Sequence, residues 1–145
     1  MQKSSLGKPT RAFWIVGALA VVWNLIGVMS YLMTVTMSPE TLDAMSEAER
    51  NLYTEIPAWA TAAYAIAVFS GVLGSIALLL RKSWAVPLFV VSLVAILVQM
   101  GHAFFASAML EVQGATAAVL PLLIMAIAAY LLWFARSART RGWLA

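Results

Sequence analysis

Residues 57–108 read PAWATAAYAIAVFSGVLGSIALLL (57–80), RKS (81–83) and WAVPLFVVSLVAILVQMGHAFFASA (84–108). Two uninterrupted apolar runs are parted by a turn that carries Arg81 and Lys82. Each run meets the roughly 20 residues that a helix needs to cross about 30 Å of hydrocarbon. A transmembrane barrel would show segments of about 10 residues with period-two alternation instead. A turn this short makes neighbouring spans pack as antiparallel hairpins. The pair therefore points to an all-α integral membrane protein.

Working outward, two more apolar runs of the same kind flank this hairpin. The expected spans are 12–37, 57–80, 84–108 and 115–135, forming one transmembrane domain over residues 1–145 as an antiparallel four-transmembrane-helix bundle. Composition agrees. Hydrophobic residues make up 63% of the chain and charged residues 10%, against about 25% charged in a soluble domain. The N-terminal run is preceded by Lys3, Lys8 and Arg11 but far exceeds the roughly 7–15 residues of a signal h-region. It is read as a retained first span.

Charge sets the expected orientation. All nine basic residues except Arg50 fall before span one, between spans two and three, or after span four. The six acids, Glu40, Asp43, Glu47, Glu49, Glu55 and Glu111, fall in the two opposite loops. The positive-inside rule then places both termini in the cytoplasm and the acidic loops outside. The same clustering beside apolar runs excludes nucleic acid as a partner, since binding it needs a solvated basic face with stacking aromatics. With Cys 0 in the chain, disulfides, thiolate metal sites and thiol catalysis are excluded.

Local signals punctuate the spans. Pro57, Pro87 and Pro121 fall near helix starts, where a missing N–H is tolerated. Trp14, Trp59, Trp84, Trp133 and Trp143 sit near span ends, as interfacial aromatics do. The outer segment 38–56 is expected to form two short amphipathic helices lying at the membrane surface. Ser38-Pro39-Glu40 reads as a helix start, and Ser46-x-x-Glu49 has the capping-box spacing.

Lipid-embedded helices associate through close packing of small residues. Span two carries Ala63, Ala67, Gly71 and Ser75 at four-residue steps, with Gly74 beside them. This ridge packs helices closely inside the bundle or docks a second copy in a homo-oligomer. Span one shows a stripe of Gly17, Ala20, Asn24, Gly27, Tyr31 and Thr34 at three- and four-residue steps.

Polar side chains within spans are costly unless paired or solvated, and so mark candidate sites. Asn24 lies near mid-membrane, and Tyr64 about 10 Å below the outer end of span two. Gln99 and His102 lie one turn apart on span three. With Trp23, Tyr31, Glu55 and Trp59 they are the candidate ligand-binding residues, converging on the outer half of the bundle. Each also has a plain structural role: interhelical hydrogen bonds for Asn24 and Gln99, an interfacial position for His102, and a helix-dipole contact for Glu55.

Other chemistries find less. Met29, Met33 and Met37, with Met100, Met109 and His102, have the donor types of a Cu(I) site, though methionine is also ordinary gap filling. One histidine excludes bis-histidine haem. No Ser-His-acid pattern, H-E-x-x-H or phosphate loop appears, so no catalytic residue is expected, and no cofactor. Small four-helix drug/proton antiporters keep a membrane-embedded glutamate in span one; here Asn24 holds the central polar position.

Trp23-Asn-Leu-Ile-Gly27, Pro57-Ala-Trp-Ala-Thr-Ala-Ala-Tyr64 and Leu80-Arg-Lys-Ser-Trp84 through Gln99-Met100 resemble a group of small uncharacterised bacterial inner-membrane proteins, sometimes loosely labelled sugar transporters. The resemblance covers nearly the whole chain and implies a bacterial inner membrane and transport. It assigns no functional residue. The expected function is non-enzymatic binding or passage of a small neutral or lipophilic molecule from the outer half. The alternatives are an accessory subunit that docks a partner through small-residue faces, and a metal- or haem-binding membrane protein.

Overall fold

A computed structural model describes residues 7–145; Lys3 of the N-terminal basic group lies outside them. The described elements are α1 (Arg11–Val35), α2 (Pro39–Asp43), α3 (Glu47–Thr54), α4 (Ala58–Leu79), α5 (Ala85–Gly101), α6 (Met109–Gln113) and α7 (Val119–Thr140). A π-helical turn, His102–Ala106, continues α5, and a 3₁₀ turn, Ala115–Ala118, leads into α7. Four helices are long and apolar enough to cross a membrane: Arg11–Val35, Ala58–Leu79, Ala85–Ala106 and Ala115–Thr140.

These bounds lie close to the expected spans except at the last, which was to end at 135 but runs on to Thr140. Ala135 and Ala138 keep packing against the core there, while Arg136 and Arg139 are exposed on the opposite side. Long arginine stems carry their charge off an apolar helix end without breaking it.

The capping signals act as their chemistry requires. The Thr10 side chain accepts from the Phe13 N–H at 3.4 Å and starts α1. Ser38 accepts from the Thr41 N–H at 3.2 Å and starts α2, with Pro39 at its first position. At α3 the box closes in both directions: Glu49 N–H donates to Ser46 Oγ at 3.2 Å and Ser46 N–H to Glu49 Oε2 at 3.4 Å. Pro57 is the N-cap of α4, and Pro87 and Pro121 fall in the first turns of α5 and α7.

α4 lies between α1 and α5, and α5 in turn carries α7. The small-residue ridge of α4 makes this possible. Ala63, Ala67, Gly71, Gly74 and Ser75 are all buried inside the chain. A β-carbon on Gly71 would run into the Asn24 carboxamide from α1 and stand 3.4 Å from Ser92 Oγ of α5. One on Gly74 would come within 3.1 Å of the Phe89 ring. The ridge is thus filled by the chain's own α1 and α5.

One end of the bundle gathers the basic residues and is closed. α4 and α7 finish there in the same way, each with a residue in the left-handed region: Arg81 at φ 58° and Gly142 at φ 75°. Lys82 N–H donates to Ala77 O and Arg81 N–H to Leu78 O, at 2.9 and 3.0 Å; Trp143 N–H and Gly142 N–H repeat the pattern to Ala138 O and Arg139 O. These are paired Schellman caps, in which glycine is the usual left-handed residue. Arg81 holds that conformation because it is tied on three sides. Its carbonyl accepts from Ala145 N–H at 2.8 Å, its Nε donates to Trp143 O at 2.9 Å, and its guanidinium also reaches Gly7 O. The final residues therefore lie across the α4–α5 turn.

Above this seam sits the larger core: Phe13, Leu78, Ala77, Ala85, Phe89, Leu131 and Ala135, with Leu144 folded in from the C-terminal segment. Phe13 stacks on Phe134 at 6.0 Å and meets Trp143 edge-on at 5.7 Å, which brings α1 and α7 together at this end. A smaller cluster of Ala67, Ala95, Ile96 and Met100 packs farther along, towards the acidic end.

Candidate binding cavity

Between the two clusters the four long helices do not fill the space. A cavity of about 330 Å³ lies there, bordered by Trp23, Asn24 and Ser30 of α1, Tyr64 and Val68 of α4, Ile96 and Gln99 of α5, and Ile124 and Leu131 of α7. Its lining is mostly apolar, with a few hydrogen-bonding side chains, the usual make-up of a small-molecule site. A second space of about 230 Å³ lies towards the acidic end, lined by Tyr53, Thr61, His102, Ser107 and Met109 among others. Tyr64 and Gln99 border both, so this pair forms the partition between cavity and vestibule. On the flank, a cleft of about 390 Å³ runs between α1 and α7 along Leu19, Val22 and Tyr130, and shares Trp23, Ile26, Ile127 and Leu131 with the cavity. The cavity and the slot between α1 and α7 thus share one wall of side chains.

Asn24 is the most constrained polar group. Its amide donates to Ala20 O at 2.8 Å and across to Ser75 Oγ at 3.1 Å. Ser75 in turn donates to Gly71 O at 2.8 Å, and Ser92 donates to Ala67 O at 2.7 Å. Each serine hydroxyl therefore has a partner in the crowded ridge. The Asn24 carbonyl oxygen and the Gln99 carboxamide have no hydrogen-bond partner among the described residues, yet no buried side-chain polar atom is orphaned. Both groups therefore keep some accessible surface, and both residues line the cavity. The Ser30 hydroxyl lies beside that of Tyr64, and polar residues of three helices (Asn24 and Ser30, Tyr64, Gln99) line the same volume. Among the described residues, no Asp, Glu, Lys or Arg borders either the cavity or the vestibule.

The structure divides the candidate residues. Trp23, Asn24, Tyr64 and Gln99 meet at the cavity, and His102 joins Tyr64 and Gln99 at the vestibule. Tyr31 borders neither; it supports Tyr64 edge-on at 5.3 Å and Phe69 at 6.0 Å. Trp59 is 54% exposed and meets the His102 ring edge-on at 5.4 Å, outside both spaces. Glu55 caps α3 and is exposed, also outside both.

His102 opens the π-helical turn, with Ser107 N–H donating to its carbonyl at 2.9 Å. Such single-turn irregularities are frequent at functional sites. The methionines do not gather around this histidine. Met29 and Met33 are 65% and 66% exposed on the outward face of α1, Met100 borders the cavity, and Met109 shares the vestibule with His102. Among the described residues no three His, Cys, Asp or Glu side chains cluster as a metal site would require.

Sequence reasoning missed the contribution of α7, whose Ile124, Ile127, Ala128 and Leu131 close one wall. It also missed Ser30, whose signal was present: it stands one residue before Tyr31 on the stripe-bearing helix. No family model, curated protein or solved structure matches the chain.

Proposed function

We propose that this chain is a multi-pass protein of a bacterial inner membrane that binds a small, uncharged, mainly apolar molecule and passes it between the bilayer and the outer face. In this reading the bundle is antiparallel, one transmembrane domain with both termini cytoplasmic, and it works by binding rather than by chemistry. The carrying observation is the 330 Å³ cavity, which shares lining residues with an apolar slot on one side and with a vestibule on the other. Orientation rests on the charge asymmetry, and the bacterial membrane on the sequence resemblance.

The chemistry of the lining narrows the ligand. A charged molecule would lose its hydration with no opposite charge to meet it. A sugar carries many hydroxyls, and the cavity offers few free hydrogen-bonding groups against walls of isoleucine, leucine and valine. A lipophile with one or two polar atoms matches better: its body sits on the apolar walls and its polar atoms meet Asn24 and Gln99. Access from the bilayer through the α1–α7 slot suits such a molecule, because it is already concentrated in the membrane. The accessory-subunit reading cannot use the α4 ridge, which is buried within the chain, and rests on the small-residue faces of the other helices.

Mass spectrometry of small molecules that copurify in mild detergent tests the proposal. The protein is expected to carry a lipophilic molecule that Ala128→Phe, which fills the cavity from α7, releases at least ten-fold. Equal recovery from both proteins, or an empty wild-type protein that also fails to take up lipophiles from doped membranes, would sink it.

A further inference from the structure

The basic end carries a second concavity, separate from the cavity and on the other side of α7. It lies where α7 leans on Leu93 of α5, has a volume of about 580 Å³, and runs from Ala129 past Leu132 and Trp133 to Arg136, Ser137, Thr140 and Arg141. Along the helix axis that is about 16 Å. Its floor is apolar at the middle of the bundle and becomes cationic and hydroxylic at the end. This is the profile of one phospholipid monolayer: an acyl trough below a headgroup cradle.

We infer that this groove is a binding site for an anionic phospholipid, whose phosphate sits between Arg136 and Arg141 and whose acyl chain follows the trough over Ala129 and Leu93. Charge is the first warrant. All six acids of the chain lie in its other loops, and none of the basic residues at this end pairs with an acid among the described residues; the ion pair present is Arg50–Asp43, at the acidic end. Neither exposed guanidinium thus forms an ion pair within the described residues, and guanidinium matches phosphate oxygens in charge and geometry. Shape is the second. Arg141 is held over the Trp143 ring at 5.1 Å, which fixes one guanidinium at the rim. The Ser137 hydroxyl adds a donor between the two arginines. Basic pockets between transmembrane helices on the side that carries the positive charge are suited to anionic headgroups.

The test uses the full chain in mixed micelles holding equal amounts of phosphatidylglycerol and phosphatidylcholine, read by native mass spectrometry. Wild type is expected to retain phosphatidylglycerol over phosphatidylcholine by at least five-fold. R136Q/R141Q should bring the ratio near one, while K82Q/R139Q, with the same change in charge at the same end but outside the groove, should leave it unchanged. A129F keeps both arginines and blocks the trough, so it should lower retention of phosphatidylglycerol as well; it also covers the case in which R136Q/R141Q fails to fold. An equal fall in both double variants, full retention by A129F, or displacement by millimolar inorganic phosphate would each overturn the proposal.

Discussion

At the basic end Phe13 and Leu78 have no exposed surface and the chain's own terminus is bonded across a turn. A few helical turns away Asn24, Tyr64 and Gln99 border open volume. The same four helices build both regions, so the difference lies in what their side chains can fill. Aromatic rings from α1, α7 and the C-terminal segment meet at the closed end. Towards the acidic end α7 presents isoleucine, leucine and alanine to α1 across a gap that these cannot close. Close packing is therefore concentrated at one end, and open volume at the other.

The strongest way to break this contrast is Phe13→Ala. Emptying a site with no exposed surface should cost about 3–5 kcal/mol, read as a fall in unfolding free energy in detergent. A loss under about 1 kcal/mol would mean that the closed end is not the anchor. Next comes Arg81, where two substitutions separate two effects. Arg81→Ala loses the guanidinium bonds and keeps the left-handed backbone, at a cost of about 2 kcal/mol. Arg81→Gly loses the same bonds but relieves the backbone, and should recover about 1 kcal/mol of that. Equal thermal midpoints for the two variants would show that the left-handed turn is not maintained at a cost. The smallest expected effect lies in the open half. Gln99→Leu removes a carboxamide without a partner, so stability should stay within about 0.5 kcal/mol or rise, while the recovered ligand falls. A clear destabilisation would reveal that Gln99 packs rather than waits.

Much of the fold was legible because its signals are local. Apolar run length, the Ser46–Glu49 box and Pro39 each act within a few residues of themselves, and the helices begin where these signals say. The closed seam was not legible. Arg81 in a left-handed turn is disfavoured by its own chemistry, and only contacts with Gly7, Trp143 and Ala145, distant in sequence, explain it. The candidate site was half legible for a similar reason. Polar residues such as Asn24 and Gln99 advertise themselves within a span, whereas Ile124 or Leu131 look the same whether they face lipid or a void. The ridge of α4 showed close packing through its spacing, but spacing alone does not say whether the neighbour is the same chain or another.

α7 rests on α5 along its length and meets α1 through the aromatic cluster at the basic end. Towards α5 it is supported throughout, but towards α1 it is pinned at one end, like a beam free to swing across the face of its neighbour. Its α-helical stretch is about 33 Å long, so a tilt of about 5° at the clamp would carry its far end through about 3 Å. That displacement is comparable to the width of a methylene chain, and it falls at the mouth of the slot. Under the proposed function, a rearrangement too small to disturb the aromatic cluster would be large enough there to decide whether a molecule in the bilayer fits through.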